Sequence, residues 1–454
     1  MGVIAAVMTV TAGAILAGGT AARTQFTPAE VEQPVYGPAV GMPATLEHLW
    51  VHESEGTGAP LTTKGNLVTV DPGGTLVGRD AGSGEQQWSY SHAEQFCAAT
   101  FYADVLVAAF DGASGCSDVT ALDPTTQRYS NTRQSAFPDT MELTSTWRHA
   151  LALSPERLEI WRDDLVRTIE YGAVEAPQEA GMQPRSGCTL GSAALTDERF
   201  AVAERCPGDD SMRLTLSETV PEDNRKPEEI ASDVTGADDL WVLGMTDEGT
   251  LGLTRRGADW AVEWFTSPER YSPVLILPGE PALAPTPETL AGDDKQLRWF
   301  DGTATHAFDL TTGTYTWTTP VATGPGLTGG WSPDPEDRTA RDWVLIPADG
   351  RFVAVDHASG AEIRWLDSPS GDEAGGTFDD NADDHDDDNN TPAPDPDAVP
   401  DAVPNAGPNA GPNAGPNADR GADTGAAFVV GLSQIGDILY ERRSGEIHAY
   451  KIRT

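Results

Sequence analysis

Basic residues are scarce in this 454-residue chain: 29 Lys and Arg stand against 71 Asp and Glu, a formal net charge of -42. A field of that sign repels phosphates and anionic headgroups, so nucleic acid is excluded as a partner. Cysteine is scarcer still. Cys97, Cys116, Cys188 and Cys206 contain no Cys-x-x-Cys spacing, the close pairing that a thiolate zinc site needs. Also missing are the Gly-x-Ser-x-Gly elbow, His-Glu-x-x-His and the phosphate loop Gly-x-x-x-x-Gly-Lys, which removes common signatures of hydrolases, zinc proteases and nucleotide-binding enzymes. Long apolar runs are absent after the first, Val3 to Gly18, and no cysteine follows that run to carry a lipid anchor. Glycine and proline, by contrast, are plentiful at 47 and 34 residues, a composition that favours many short strands and turns over long helices.

The apolar start, residues 1–22, reads as one helix serving export or anchorage. Its core is short for a spanning helix, which wants about 20 residues, and long for a signal-peptide core. Gly19 to Ala22 supply small residues for a signal peptidase, and no basic residue precedes the run. The preferred reading is a single N-terminal membrane anchor with the bulk of the chain extracytoplasmic; secretion after cleavage is the alternative. The cysteines fit export. Cys188 and Cys206 bracket a strand, the turn Thr196 to Arg199 and a second strand, so they face each other across a hairpin. Cys97 and Cys116 are spaced alike, but their turn at Ala103-Asp104 is off centre and a loop must fold back. Two local disulfides are expected, Cys97 with Cys116 and Cys188 with Cys206.

A repeat organises the middle of the chain. Gly74 to Asp80, Gly350 to Asp356 and Gly445 to Lys451 share Gly-x-apolar-x-small-x-polar, a turn glycine leading into an alternating strand. Asp80, Ser83, Gly84 and Trp88 then recur as Asp309, Thr312, Gly313 and Trp317, and one residue longer as Asp356, Ser359, Gly360 and Trp365. The Asp caps a turn, the Gly takes a positive φ, and the Trp packs one sheet on the next.

This pattern resembles the repeat of the PQQ-like β-propeller family, and more closely the exported propeller proteins of high-GC Gram-positive bacteria. The resemblance implies an all-β fold of four-stranded blades around an axis, with the Trp beginning each outermost strand. Outermost strands are read at Trp88, Arg128, Leu165 to Tyr171, Glu229, Val262 to Phe265, Tyr315 and Ile363. The last copy ends without a Trp, whereas Leu49-Trp50-Val51-His52 is an outermost strand lacking a blade. Pairing the two closes the ring as an eight-bladed propeller, with seven blades as the alternative. The resulting organisation is an extended linker at 23–44, blades one to seven with the closing strand at 45–368, an insertion at 369–424 and the last blade at 425–454. The insertion holds 14 acidic residues and one basic residue, Arg420, and its Asp run and four-residue Pro beat predict an extended, disordered segment.

In function the sequence points to a non-catalytic, monomeric scaffold binding cell-envelope proteins or polymers. The alternative is an extracytoplasmic enzyme or small-ligand sensor with a site on the propeller axis. No catalytic, cofactor-binding or metal-ligating residue is assigned, and no cofactor is expected. Quinone-dependent dehydrogenases of the resembled family stack the quinone on a ring between adjacent cysteines, and this chain has no Cys-Cys pair. The doublets Asp163-Asp164, Asp209-Asp210, Asp238-Asp239 and Asp293-Asp294 fall where solvated turns are expected.

Overall fold

The computed structural model describes residues 23–29, 36, 41–63, 65–102, 104–174, 182–183, 185–223, 226–329, 342–369 and 429–454. The apolar segment 1–22 and nearly all of the insertion lie outside the described residues. Among those described, no helix is long and apolar enough to cross a membrane.

The strands gather into eight antiparallel sheets, each a blade. Blade one is Leu61–Thr62, Asn66–Asp71, Thr75–Asp80 and Gln86–Ser91; blade two is Phe96–Tyr102, Val105–Gly112, Gly115–Asp123 and Arg128–Gln134. Blade three is Glu142–Ser145, His149–Leu153, Arg157–Arg162 and Arg167–Gly172; blade four is Thr189–Leu195, Arg199–Arg205, Arg213–Glu218 and Glu229–Val234. Blade five is Asp239–Thr246, Gly249–Arg256, Asp259–Ser267 and Arg270–Leu277; blade six is Leu290–Gly292, Gln296–Phe300, Ala304–Asp309 and Thr314–Pro320. Blade seven is Leu327–Thr328, Trp343–Ala348, Arg351–Asp356 and Glu362–Leu366. Blade eight takes Gly431–Ile435, Ile438–Arg443 and Glu446–Arg453 from one end of the chain and its outermost strand, Thr45–Glu53, from the other. In that pairing Thr45 faces Arg453, His48 faces Tyr450 and Trp50 faces Ala449. This is the eight-bladed propeller with the closing strand that the unmatched Trp50 foretold.

Burial explains the strand sequences. A second strand is sandwiched between neighbouring blades and is apolar on both faces, as in Trp343–Ala348, which is buried throughout. An outermost strand meets solvent and reads polar, as in Arg128–Gln134. The core is a set of layers between blades: Trp88, Tyr90, Leu106 and Phe110 join one to two, and Trp50, Leu67, Ile438 and Tyr440 join eight to one.

All eight outermost strands carry one β-bulge, at Gln87, Ser130, Thr168, Ile230, Val274, Thr316, Ile363 and Leu49. A bulge re-aims the following side chain and spoils the edge as a template for further strands. Gln25–Thr27, within the stretch read as linker, nevertheless adds a fifth strand to blade one, against Ser89–Ser91, with Phe26 on Trp88, Tyr90 and Tyr129.

One outermost strand differs from the sequence reading. Val262–Phe265 belongs to the third strand of blade five and is buried, while Arg270–Leu277 is the rim. Trp264 was the misleading marker, because it reaches the turn glycine of blade six, Gly313, from the third strand.

Val321, just after blade six, has φ 55° and is 60% exposed. The left-handed region costs a β-branched residue about 1–2 kcal/mol. Val321→Asn is therefore expected to raise stability by about 1 kcal/mol in denaturant melts; an unchanged midpoint would refute the strain.

Candidate functional site

The repeat residues meet at the joints between blades. Asp80 Oδ1 accepts hydrogen bonds from the Gly82 amide (3.0 Å), the Ser83 amide (2.8 Å) and the Ser83 hydroxyl (3.0 Å). Asp356 accepts the Ser359 amide and hydroxyl at 2.8 and 2.6 Å, and Asp309 the Thr311 and Thr312 amides at 2.8 and 2.9 Å. Each turn ends in a left-handed glycine, which does more than fit the φ. A Cβ on Gly84 would lie 2.7 Å from the Trp50 ring, and one on Gly360 2.4 Å from Trp317. The Trp50 indole N–H donates to the Ala81 carbonyl (3.3 Å) and that of Trp317 to the His357 carbonyl (3.0 Å), in both cases the residue after the turn aspartate. The Trp of one blade thus sits under the turn of the next. Trp88 is buried as well, but its indole N–H stays within blade one, donating to Asn66 Oδ1 at 2.9 Å, while its ring packs in the layer against blade two.

Blade seven keeps the eight-residue spacing with a different residue. Its bulge puts Arg364 opposite Ala354, the register that Trp88 holds opposite Gly78 and Trp317 opposite Ala307. Arg364 reaches the Pro43 carbonyl (3.3 Å) at the entry to the closing strand. Trp365, one position on, is half-buried under the Arg351 guanidinium, 4.6 Å from its ring centre. Blade two holds a copy that sequence reasoning missed: Asp123 accepts the Thr125 and Thr126 amides at 2.8 and 3.0 Å, and Gln127 takes the glycine's place at φ 55°.

Four arginines were also missed. Arg157, Arg256, Arg298 and Arg442 donate to the carbonyls of Ala173, Thr235, Pro325 and Glu55, at 3.1, 2.8, 2.9 and 2.9 Å. Each carbonyl lies on the linker from one blade's rim to the next blade's innermost strand. Burial lowers the guanidinium of Arg298, and likewise that of Arg442, to about 10. The signal was an arginine inside an apolar strand, as in Gln296-Leu-Arg-Trp-Phe300.

Acidic groups are buried too. Glu159 is fully buried and accepts from Arg157 Nη2 (2.6 Å), Ser135 Oγ (2.7 Å), Trp161 Nε1 (2.7 Å) and Arg167 Nη1 (3.2 Å), with Arg133 3.2 Å away. Burial pushes its carboxyl up, but Arg133 and Arg157 outweigh burial and hold it below the usual range. Asp293 departs from the solvated-turn expectation. Its buried carboxylate accepts from His357 Nε2 (2.8 Å) and Thr328 Oγ1 (3.1 Å), because the blade six turn is covered by blade seven. Asp209 and Asp164 do sit in turns, paired with Arg213 and Arg162, whereas Asp239 opens the first strand of blade five and pairs with Arg255 across the ladder.

These pairings set an acid limit on stability. Burial would raise Asp301, but hydrogen bonds from His306 and from the Ala304 and Thr303 amides prevail and hold it at about 2. Asp293 is lowered likewise by His357 and the Lys295 and Gln296 amides against the upward push of burial. A carboxyl lowered on folding contributes stability above its unfolded value, about 3.9, and loses it as pH falls through the folded one. The melting temperature is expected to drop between about pH 4 and pH 2, with Asp301 contributing about 2 kcal/mol. Asp301→Asn should flatten that drop; an identical acid profile would exclude the assignment.

Cys97, on the first strand of blade two, is bonded to Cys116 on the third, across the strand between them. Cys188 is bonded to Cys206 at the open end of blade four's first hairpin, next to the pair Thr189 and Arg205. Among the described residues, the one close grouping of His, Cys and carboxylate groups is Cys188, Glu204 and Cys206, and its sulfurs are spent in that bridge.

Two surfaces remain. A cleft of about 750 Å³ between blades two and three is lined by Asp139, Glu156, Arg157 and Ser186, but the Arg157 donors are committed to Glu159, Glu170 and Ala173. The rim of blade five is apolar instead. Arg270–Leu277 reads Arg-Tyr-Ser-Pro-Val-Leu-Ile-Leu, with Tyr271 41% and Ile276 66% exposed, and among the described residues no strand pairs with its outer edge.

Strand order and closure define the protein as an eight-bladed β-propeller. No protein-family model and no curated protein matches the chain. Solved structures similar to it include BamB from Moraxella catarrhalis, with 11% identity, TM-score 0.45 and coverage of 90% of this chain and 100% of that one. The computationally designed Ika8 protein has 11% identity, TM-score 0.47 and coverage of 89% and 100%. The dihydro-heme d1 dehydrogenase NirN in complex with DHE has 15% identity, TM-score 0.43 and coverage of 75% and 69%.

Proposed function

We propose that this propeller is a non-catalytic, extracytoplasmic scaffold, held at the membrane by residues 1–22, that binds proteins or polymers of the cell envelope through its rim. The exposed apolar edge of blade five carries the reading. Ile276 is the most exposed large hydrophobic residue among the described residues, and it lies on a strand on which Tyr271 and Pro273 are also exposed. Such a patch on an otherwise acidic surface marks an interaction site. Two disulfides favour an oxidising compartment, which supports an extracytoplasmic location.

A photo-crosslinking residue at position 276, tested in intact cells against one at the also exposed Val220, checks this. Discrete adducts with envelope proteins from 276, absent from 220 and lost on Tyr271→Glu, are expected. No adduct from 276, together with a small molecule that copurifies with the protein, would overturn the scaffold in favour of a ligand sensor. Protease added to intact cells should degrade the propeller; full protection would reject the extracytoplasmic placement.

A further inference from the structure

The two disulfides differ in their surroundings. Cys116 is 1% exposed within the core between blades two and three, and Cys97, partly buried, packs against that core. Cys188 and Cys206 are half-buried, flanked by the exposed residues Ser186, Gly187, Thr189, Arg205 and Pro207. An incoming thiol therefore reaches the second bridge without unfolding a blade. Directly beneath it is Glu204, fully buried, with a carboxyl oxygen and both sulfurs all within 4.8 Å of one another. Tyr171 Oη (2.9 Å), Thr215 Oγ1 (2.6 Å) and Arg185 Nε (3.0 Å) fix this carboxyl in place.

We propose that Cys188–Cys206 is a thiol–disulfide exchange site that opens in the folded protein to a dithiol, with Glu204 as the proton donor to the sulfur that leaves. A thiolate of the dithiol attacks one sulfur; its bond to that sulfur forms as the Cys188–Cys206 bond breaks, and the expelled thiolate takes a proton from Glu204, directly or through one water. The second thiol of the reagent, giving up its proton, then attacks the reagent sulfur bonded to the protein; the reagent's own disulfide forms as that mixed bond breaks, and the expelled second cysteine thiolate takes up a proton from solvent. The dithiol ends as a disulfide, having given up two electrons, and both cysteines end as thiols. Solvent and the reagent return the proton to Glu204.

Burial is the largest influence on Glu204 and raises its carboxyl above the usual range, even against the hydrogen bonds from Thr215 and Tyr171. That keeps a proton available closer to neutral pH than an exposed glutamate would. Glu159, also fully buried, is lowered by its arginines, so depth alone does not create the donor.

The test follows dithiothreitol reduction of the oxidised full chain from pH 5 to 9, with each cysteine counted by alkylation and mass spectrometry. Cys97–Cys116 is the control within every sample. Cys188–Cys206 is expected to open at least tenfold faster under native conditions, and Glu204→Gln to slow it at least tenfold while leaving the control bridge unchanged. Tyr171→Phe removes one hydrogen bond to the carboxylate, so it should shift the pH midpoint of exchange upward even if E204Q folds poorly. Equal rates for the two bridges in the wild type would overturn the exchange site. A wild-type pH profile retained in both variants would overturn the role of Glu204.

Discussion

Trp50→Ala is expected to destabilise the propeller by about 3–5 kcal/mol, the usual cost of emptying a buried aromatic site. Trp50 is 8% exposed and rests on Gly84 and on Tyr440, with ring centres 5.8 Å apart in the latter pair. It also donates to Ala81. The substitution therefore removes packing on both sides of the joint between blades eight and one. The neighbouring Val51 is 43% exposed, so Val51→Ala should stay within about 0.5 kcal/mol. Denaturant unfolding of both variants makes the comparison, with limited proteolysis reporting whether residues 45–53 detach first. A Trp50→Ala loss no larger than that of Val51→Ala would mean that the closing strand does not hold the ring.

Glu159→Gln is expected to cost a similar 3–5 kcal/mol, for an electrostatic reason. Removing one partner of a buried charge cluster leaves the other charges uncompensated in low dielectric. Arg157 and Arg167 would then keep only Glu170, Arg133 would lose its carboxylate, and the new amide would turn an N–H toward guanidinium donors. The comparison is Glu47→Gln, whose partner Arg453 is 57% exposed and whose loss should cost less than about 1 kcal/mol. Equal effects in the two variants would show the cluster to be solvated.

Much of the architecture was legible because a propeller repeats its joints. Asp80, Gly84 and Trp88 mark a turn, a φ and a packing contact that no other residues satisfy as well, and their copies at Asp309 and Asp356 announced the blades. The unmatched Trp50 announced closure. Where the joint is built differently, sequence reasoning lost it: blade two uses Gln127 and Asn131 for Gly and Trp, and blade five takes its Trp from the third strand. Two exposed strands escaped for another reason. Gln25–Thr27 is too short to show periodicity, and Arg270–Leu277 is an apolar run on a rim where polar alternation is expected. The buried arginines and Glu159 were invisible because a charged residue in a strand says nothing of its partner until the register is known. The same holds for the reactive setting of Cys188–Cys206, whose spacing gives the pairing but not the carboxyl beneath it.

The union of Thr45 with Arg453 also dictates when the fold is complete. As the polypeptide is synthesised, Thr45–Glu53 emerges before seven blades of sequence and has no ladder to join until Glu446–Arg453 has followed. Hairpins within the earlier blades need only local loops to close, but this pairing joins residues as far apart as Thr45 and Arg453 and is the slowest kind to search for. Through that wait Trp50 lacks the Tyr440 side of its pocket, so a chaperone has a defined segment to shield.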